Sequence, residues 1–205
     1  IEYFLRNYPI NGILFDEPRN LEVTCFCPVC RALCPDVADL ERFRRRSMID
    51  FLGEVCATVK RIDTDITTTV ALLPHDLAQA EELAQLSALD TIGCHLFWDL
   101  LHEDVSVVRP WGSAVVEATR QYRKRSQLWL QNFNLDESTE RLMEAAFYDM
   151  VAVEPDGVGC YYYWRNNTNP ARVWEMTRSL LRHVPRRQLR WHVIHSDPKE
   201  EKQVS

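Results

Sequence analysis

The stretch Asn11-Gly12-Ile13-Leu14-Phe15-Asp16-Glu17-Pro18-Arg19 decides how the chain is read, because an apolar run stops abruptly at two neighbouring carboxylates and a proline. Ile13, Leu14 and Phe15, bounded by Gly12 and Pro18, have the length and character of a strand buried on both faces, as in parallel sheets. Acids at the C-terminal end of such a strand fall where α/β barrels and doubly wound sheets place their chemistry, since the loops there line the mouth. The plainer reading is a polar strand end, with Pro18 opening a turn and both acids solvated.

Working outward, apolar Phe43, Met48, Phe51, Leu52, Val55, Val59 and Ile62 recur at three- and four-residue spacing and predict an amphipathic helix. Ile66 to Leu73, dense in β-branched residues, predicts a second strand closed by Pro74. A helix from Asp76 to Leu89 and a third strand from Asp90 to Trp98 follow. Pro110 to Lys124 reads as a helix with Trp111, Val115, Ala118 and Tyr122 inward. Leu128 to Phe133 is the fourth strand, Glu137 to Val153 a helix and Gly157 to Trp164 the fifth strand. Asn169 supplies an N-cap and Pro170 a first helical residue for a last helix. Beyond Pro185 the chain turns basic and polar, with one short strand expected around Trp191 to Ile194.

Strands beginning near residues 12, 66, 91, 127 and 157 therefore alternate with helices, which implies a parallel sheet. No Gly-x-Gly-x-x-Gly turn or phosphate-binding lysine motif follows any strand, which counts against a nucleotide-binding doubly wound sheet. The expected fold is α/β, a parallel (β/α) TIM barrel. A complete barrel takes roughly 250 residues, so these units are read as an incomplete one, strands four to eight of eight. Residues 1–195 would form that domain and 196–205 a polar tail.

A chain of 205 residues, 46% hydrophobic, is long and apolar enough for one domain with a substantial core. Its formal charge of -6 and pI near 5.5 argue against nucleic-acid and anionic-membrane partners. The Arg44-Arg45-Arg46 cluster reads as the wet face of a helix. No apolar run approaches the ~20 residues of a membrane span. The chain opens on Ile1 in what reads as the tail of a helix, Glu2 to Tyr8, so the true N-terminus is expected to lie upstream. Oligomeric state is not written in the sequence.

Four of seven cysteines, Cys25, Cys27, Cys30 and Cys34, fall within ten positions, which is not a core-packing pattern. Thiolates so close suit tetrahedral Zn²⁺, although C-x-C-x-x-C-x-x-x-C matches no standard finger. A structural zinc on Cys25, Cys27 and Cys30 plus another ligand is the leading reading, with a disulfide pair and free thiols as alternatives. No cofactor is required for catalysis. Cys56, Cys94 and Cys160 read as small buried hydrophobes. The odd total leans towards a reducing, cytoplasmic compartment.

Phe15-Asp16-Glu17-Pro18 followed by Cys25-Phe26-Cys27-Pro28-Val29-Cys30-Arg31 resembles the fourth-strand signature of glycoside-hydrolase-like TIM barrels, in which a DG-x-x-F-D-x-P-type strand precedes a C-x-C-x-x-C-R loop. The resemblance extends in outline through Gln131-Asn132-Phe133 and Gly157 to Trp164. It implies hydrolysis of O-glycosidic bonds, a carbohydrate substrate and three missing N-terminal βα units. It also implies an acid/base glutamate on the fourth strand, matched in Asp16-Glu17-Pro18. The nucleophilic glutamate that the largest clan of such enzymes places after the seventh strand has no counterpart, because Gln131-Asn132-Phe133-Asn134 carries no carboxylate.

Such cleavage generally uses two carboxyl groups. Glu17 is the favoured general acid/base and Asp16 the alternative nucleophile; adjacent strand residues point opposite ways, so both face the axis only if the strand bends. Asp99 is a third candidate acid, or a cap. His75, His95 and His102 could each bond a sugar hydroxyl, although a barrel histidine is more often a satisfied structural group; His95, inside a strand, reads as either. Trp98, Phe133 and Trp164 fall near strand ends, where flat rings stack on pyranose faces, while Asn132 and Asn166 could bond hydroxyls. Asn166-Asn167-Thr168 matches a glycosylation sequon of low specificity. The rival reading is a non-catalytic carbohydrate-binding barrel.

Overall fold

The computed structural model describes residues 1–18, 25, 27–34, 36–161 and 166–184. The five expected strands form one all-parallel sheet: β1 (Gly12–Asp16), β2 (Thr67–Leu72), β3 (Thr91–Leu96), β4 (Arg125–Gln131) and β5 (Gly157–Tyr161), side by side in chain order. The helices are α1 (Glu2–Asn7), α2 (Pro28–Leu33), α3 (Leu40–Ile62), α4 (Ala80–Ala84), α5 (Val108–Gln121), α6 (Met143–Ala152) and α7 (Pro170–Arg182). The last begins as expected, with the Arg172 amide donating to Asn169 Oδ1 and Pro170 in the first turn. The short strand expected near Trp191 lies outside the described residues.

Strand alternation sorts the sheet into two faces. Phe15, Val70, Leu72, Ile92, Cys94, Leu96, Leu128, Leu130, Val158 and Cys160 pack with Leu52 and Cys56 of α3, Val115 of α5, Phe147 of α6 and Val173 of α7 in one large cluster. The other face carries a small cluster of Ala71, Leu73, Phe97 and Trp129, with Phe133 against it and no helical residue among them. Helices on one face and strictly sequential strand order are the pattern of a barrel segment; a doubly wound sheet reverses its order and carries helices on both faces. The fold is thus α/β with a five-stranded parallel sheet, consistent with part of a TIM-like barrel.

A recurring polar device locks register at the N-terminal end of the sheet. Asp90, just before β3, accepts from the Thr68 amide at 2.8 Å, and Asp156, just before β5, accepts from the Ser126 amide at the same distance. In return the Thr68 and Ser126 hydroxyl oxygens accept the Asp90 and Asp156 amides. Lys60 completes the first unit with an ion pair to Asp90 at 2.7 Å. These contacts lie at the end of the sheet opposite the one where barrels place their chemistry.

Three expectations are corrected. The helix placed over Asp76 to Leu89 is a 3₁₀ segment, Pro74–Gln79, followed by the short α4, whose exit is tightened by i→i−3 bonds before the chain enters β3. Phe51 is 57% exposed, because Ile49, Leu52, Cys56 and Val59 form the buried stripe of α3 and Phe51 sits a full helical step off it. The cysteine loop contains α2, with Cys27 as N-cap and Pro28 in its first turn.

Candidate active site

β1 ends by bending. Glu17 has φ 45°, in the left-handed region that a side chain enters at a cost, yet its amide still donates to the Ala71 carbonyl at 3.0 Å. A straight strand would send Asp16 and Glu17 to opposite faces. The bend instead brings both carboxylates to one cleft of about 300 Å³, lined also by His95, Phe97, Leu100, Phe133 and Asn166.

His95 sits between the two acids. Its Nδ1 is 2.9 Å from Glu17 Oε1 and its Nε2 is 3.4 Å from Asp16 Oδ1, the latter an ion-pair approach rather than a short hydrogen bond. The imidazole is only 1% exposed, whereas Asp16 is 58% and Glu17 28% exposed. Its ring stacks on Phe97 at 4.6 Å and meets the edge of Trp129 at 5.1 Å, and Phe97 in turn abuts Phe133 edge-on at 4.9 Å. Trp129 finds room because its strand neighbours are glycines: a Cβ at Gly93 or Gly159 would overlap the indole.

Two buried amides hold the surrounding loops. Gln131 Oε1 accepts the Asp99 and Leu100 amides at 3.1 and 3.2 Å, while its Nε2 donates to the Phe133 carbonyl at 3.1 Å, tying the loops after β3 and β4 together. Asn167 Oδ1 accepts the Leu135 amide at 2.9 Å and its Nδ2 donates to the Asn132 carbonyl at 3.0 Å, anchoring the segment that presents Asn166.

The structure thus brings together Asp16, Glu17, His95, Phe133 and Asn166 of the residues singled out in the sequence. Trp98 and Asn132 it places elsewhere: Trp98 is 1% exposed within the large cluster, and Asn132 is fully buried, donating to Thr177 of α7 at 3.2 Å. Both have the parity of the helix-facing residues, so neither presents a surface to the cleft. Asp99 follows β3 but is not among the cleft-lining residues; burial, then the nearby Asp136 carboxylate, push its carboxyl above the usual range. His75 and His102 are exposed and also lie off the cleft lining. Trp164 lies outside the described residues. Phe97 and Leu100 escaped the sequence reading. Phe97 was available, since it is two residues after His95 and shares its face.

At the cysteine loop, the sulfurs of Cys25, Cys27 and Cys30 lie within 4.8 Å of one another, a soft donor set that could hold a metal ion. Cys34 departs from the expected set of four, its thiol donating to the Asp36 carbonyl at 3.3 Å. The Cys30 amide, aided by the Cys25 thiol, holds Cys27 down at about 7, while hydrogen bonding to Cys25 and Cys27 pushes Cys30 up to about 11.

No family model and no curated protein sequence matches the chain. Among solved structures it is similar to an alpha-L-fucosidase candidate from Bacteroides thetaiotaomicron VPI-5482, with a TM-score of 0.53 and 8% identity over 66% of this chain and 52% of that one. The likeness is one of fold. The chain spans about half the length of that structure.

Proposed function

We propose that the chain is the C-terminal part of a TIM-barrel glycoside hydrolase that cleaves O-glycosidic bonds by carboxylate chemistry. The observation that carries the reading is the pair Asp16 and Glu17, turned into one cleft at the C-terminal end of a parallel sheet and flanking a single buried histidine. In this reading Glu17, the less exposed acid, protonates the departing glycosidic oxygen, and Asp16 attacks or stabilises the anomeric carbon. Asp99 is the reserve second acid. The ring of Phe133, backed by the buried Phe97, offers an apolar wall for the C–H face of a sugar, with Asn166 placed to bond a hydroxyl.

The fold likeness to a fucosidase candidate supports this reading, and barrels host many functions, so the site must bear it. Residues 1–195 would supply strands four to eight. β1 is an edge strand, its alternate residues Gly12, Leu14 and Asp16 exposed, where a preceding strand of the same barrel would pair. Cys25, Cys27 and Cys30 would hold a structural zinc with one further ligand, stiffening the loop that leaves the acids.

Two observations favour the rival, a non-catalytic carbohydrate-binding barrel: β4 ends in Gln131 rather than a carboxylate, and Asp99 does not line the cleft. Hydrolysis of a panel of aryl glycosides by wild type, Glu17→Gln and Asp16→Asn separates the two. Sugar binding by all three without turnover by any selects the binding module.

A further inference from the structure

We infer that His95 is a positioning residue for the two acids, bridging Asp16 and Glu17, rather than a contact for the sugar. The inference rests on the reading of those acids as the reactive pair. Three observations carry it. Both ring nitrogens face carboxylates, Nδ1 towards Glu17 at 2.9 Å and Nε2 towards Asp16 at 3.4 Å. Two aromatic rings pack against it, Phe97 stacked and Trp129 edge-on. At 1% exposure the imidazole has almost no surface left for a ligand.

The neighbours leave the acids as its ionisable partners among these contacts. β1 and its bend contribute Asp16 and Glu17, the residue just after β3 is Phe97, and β4 contributes Trp129, while Ala71 and Leu73 of the β2 side fill the same small cluster. A neutral imidazole carries one N–H and donates to one carboxylate at a time; the imidazolium donates to both. The ring therefore ties the side-chain positions of the two adjacent acids to each other. When Glu17 gives its proton to the departing glycosidic oxygen, which keeps the electron pair of the broken bond, the carboxylate left behind accepts the Nδ1–H bond. Exposed Asp16, held only at ion-pair distance, keeps the freedom to approach the anomeric carbon.

The test has two arms on the full protein. In the first, the ¹⁵N ring resonances of His95, assigned by their loss in His95→Asn, are compared in wild type, Glu17→Gln and Asp16→Asn. Both substitutions should shift them; a ring unmoved by either substitution, in protein that is folded by circular dichroism, overturns the bridge. In the second, His95→Asn, whose amide nitrogen reaches the position of Nδ1, should lower kcat roughly ten- to hundredfold with KM within about threefold, and His95→Phe should lower kcat further. A raised KM with unchanged kcat would make His95 a sugar contact and overturn the proposal. If wild type hydrolyses no glycoside, the hydrolase reading falls while the ring resonances still decide the bridge.

Discussion

The Glu17 amide reaches the Ala71 carbonyl at 3.0 Å although Glu17 itself stands at φ 45°, so β1 goes on pairing with β2 one residue past the point where it stops being extended. That pairing places the bend, and the bend puts two consecutive acids in one cleft. Backbone held in a sparsely populated region is a feature that surrounding structure must maintain, and such positions gather at functional sites.

The strain is measurable. Glu17→Ala and Glu17→Gly both delete the carboxylate, but only alanine retains a Cβ at positive φ. Glu17→Gly should therefore be more stable than Glu17→Ala by about 1 kcal/mol in urea unfolding. Equal stabilities would show that the bend is unstrained.

Trp129 lies over two glycines on neighbouring strands, and its edge supports His95. Gly159→Ala and Gly93→Ala should each cost about 1–3 kcal/mol through overpacking, and Gly93→Ala should be the worse, because its new methyl also meets the Gln127 carbonyl. Combining Gly159→Ala with Trp129→Leu should cost less than the sum of the two single changes, read from a double-mutant cycle.

Asp90 makes stability depend on acid. Partial burial alone would raise its carboxyl, but the Lys60 ammonium and the Thr68 amide outweigh that and bring it below the usual carboxylate value. A carboxyl lowered by folding contributes stability above its unfolded value, about 3.9, and loses that contribution as pH falls through the folded value. Asp90→Asn should therefore cost about 1–3 kcal/mol at neutral pH, and the gap from wild type should close as the pH is lowered below ~4. A gap that is constant with pH would remove the ion pair from the account.

The thiol cluster predicts its own composition. Elemental analysis of carefully reduced protein should find one zinc per chain, lost in Cys27→Ser and retained in Cys34→Ser, because among the described residues it is Cys25, Cys27 and Cys30 that converge. Zinc-free reduced protein, or equal loss in both variants, would contradict the assignment.

β2, β3 and β4 were legible because strands buried on both faces write themselves as apolar runs, and the order of units followed from their alternation; β1, expected to be buried in the same way, instead exposes Gly12, Leu14 and Asp16 on one face. Finer features failed for local reasons. A 3₁₀ segment and a short α4 carry the same apolar spacing as one longer helix. At the strand ends a one-residue error in parity exchanges faces, so Trp98 and Asn132 were read as cleft residues, while the neighbours that reach it are Phe97 and Phe133. The doublet Asp16-Glu17 was plain in the sequence, but its convergence was not, since it depends on a positive φ that no residue type there announces.

Glu17 and Asp16 are proposed to cleave a glycosidic bond together. Measured kcat on an aryl glycoside accepted by the full-length protein should fall at least about a hundredfold in Glu17→Gln and in Asp16→Asn, with folding unchanged. Turnover by either variant within a few fold of wild type would contradict the account.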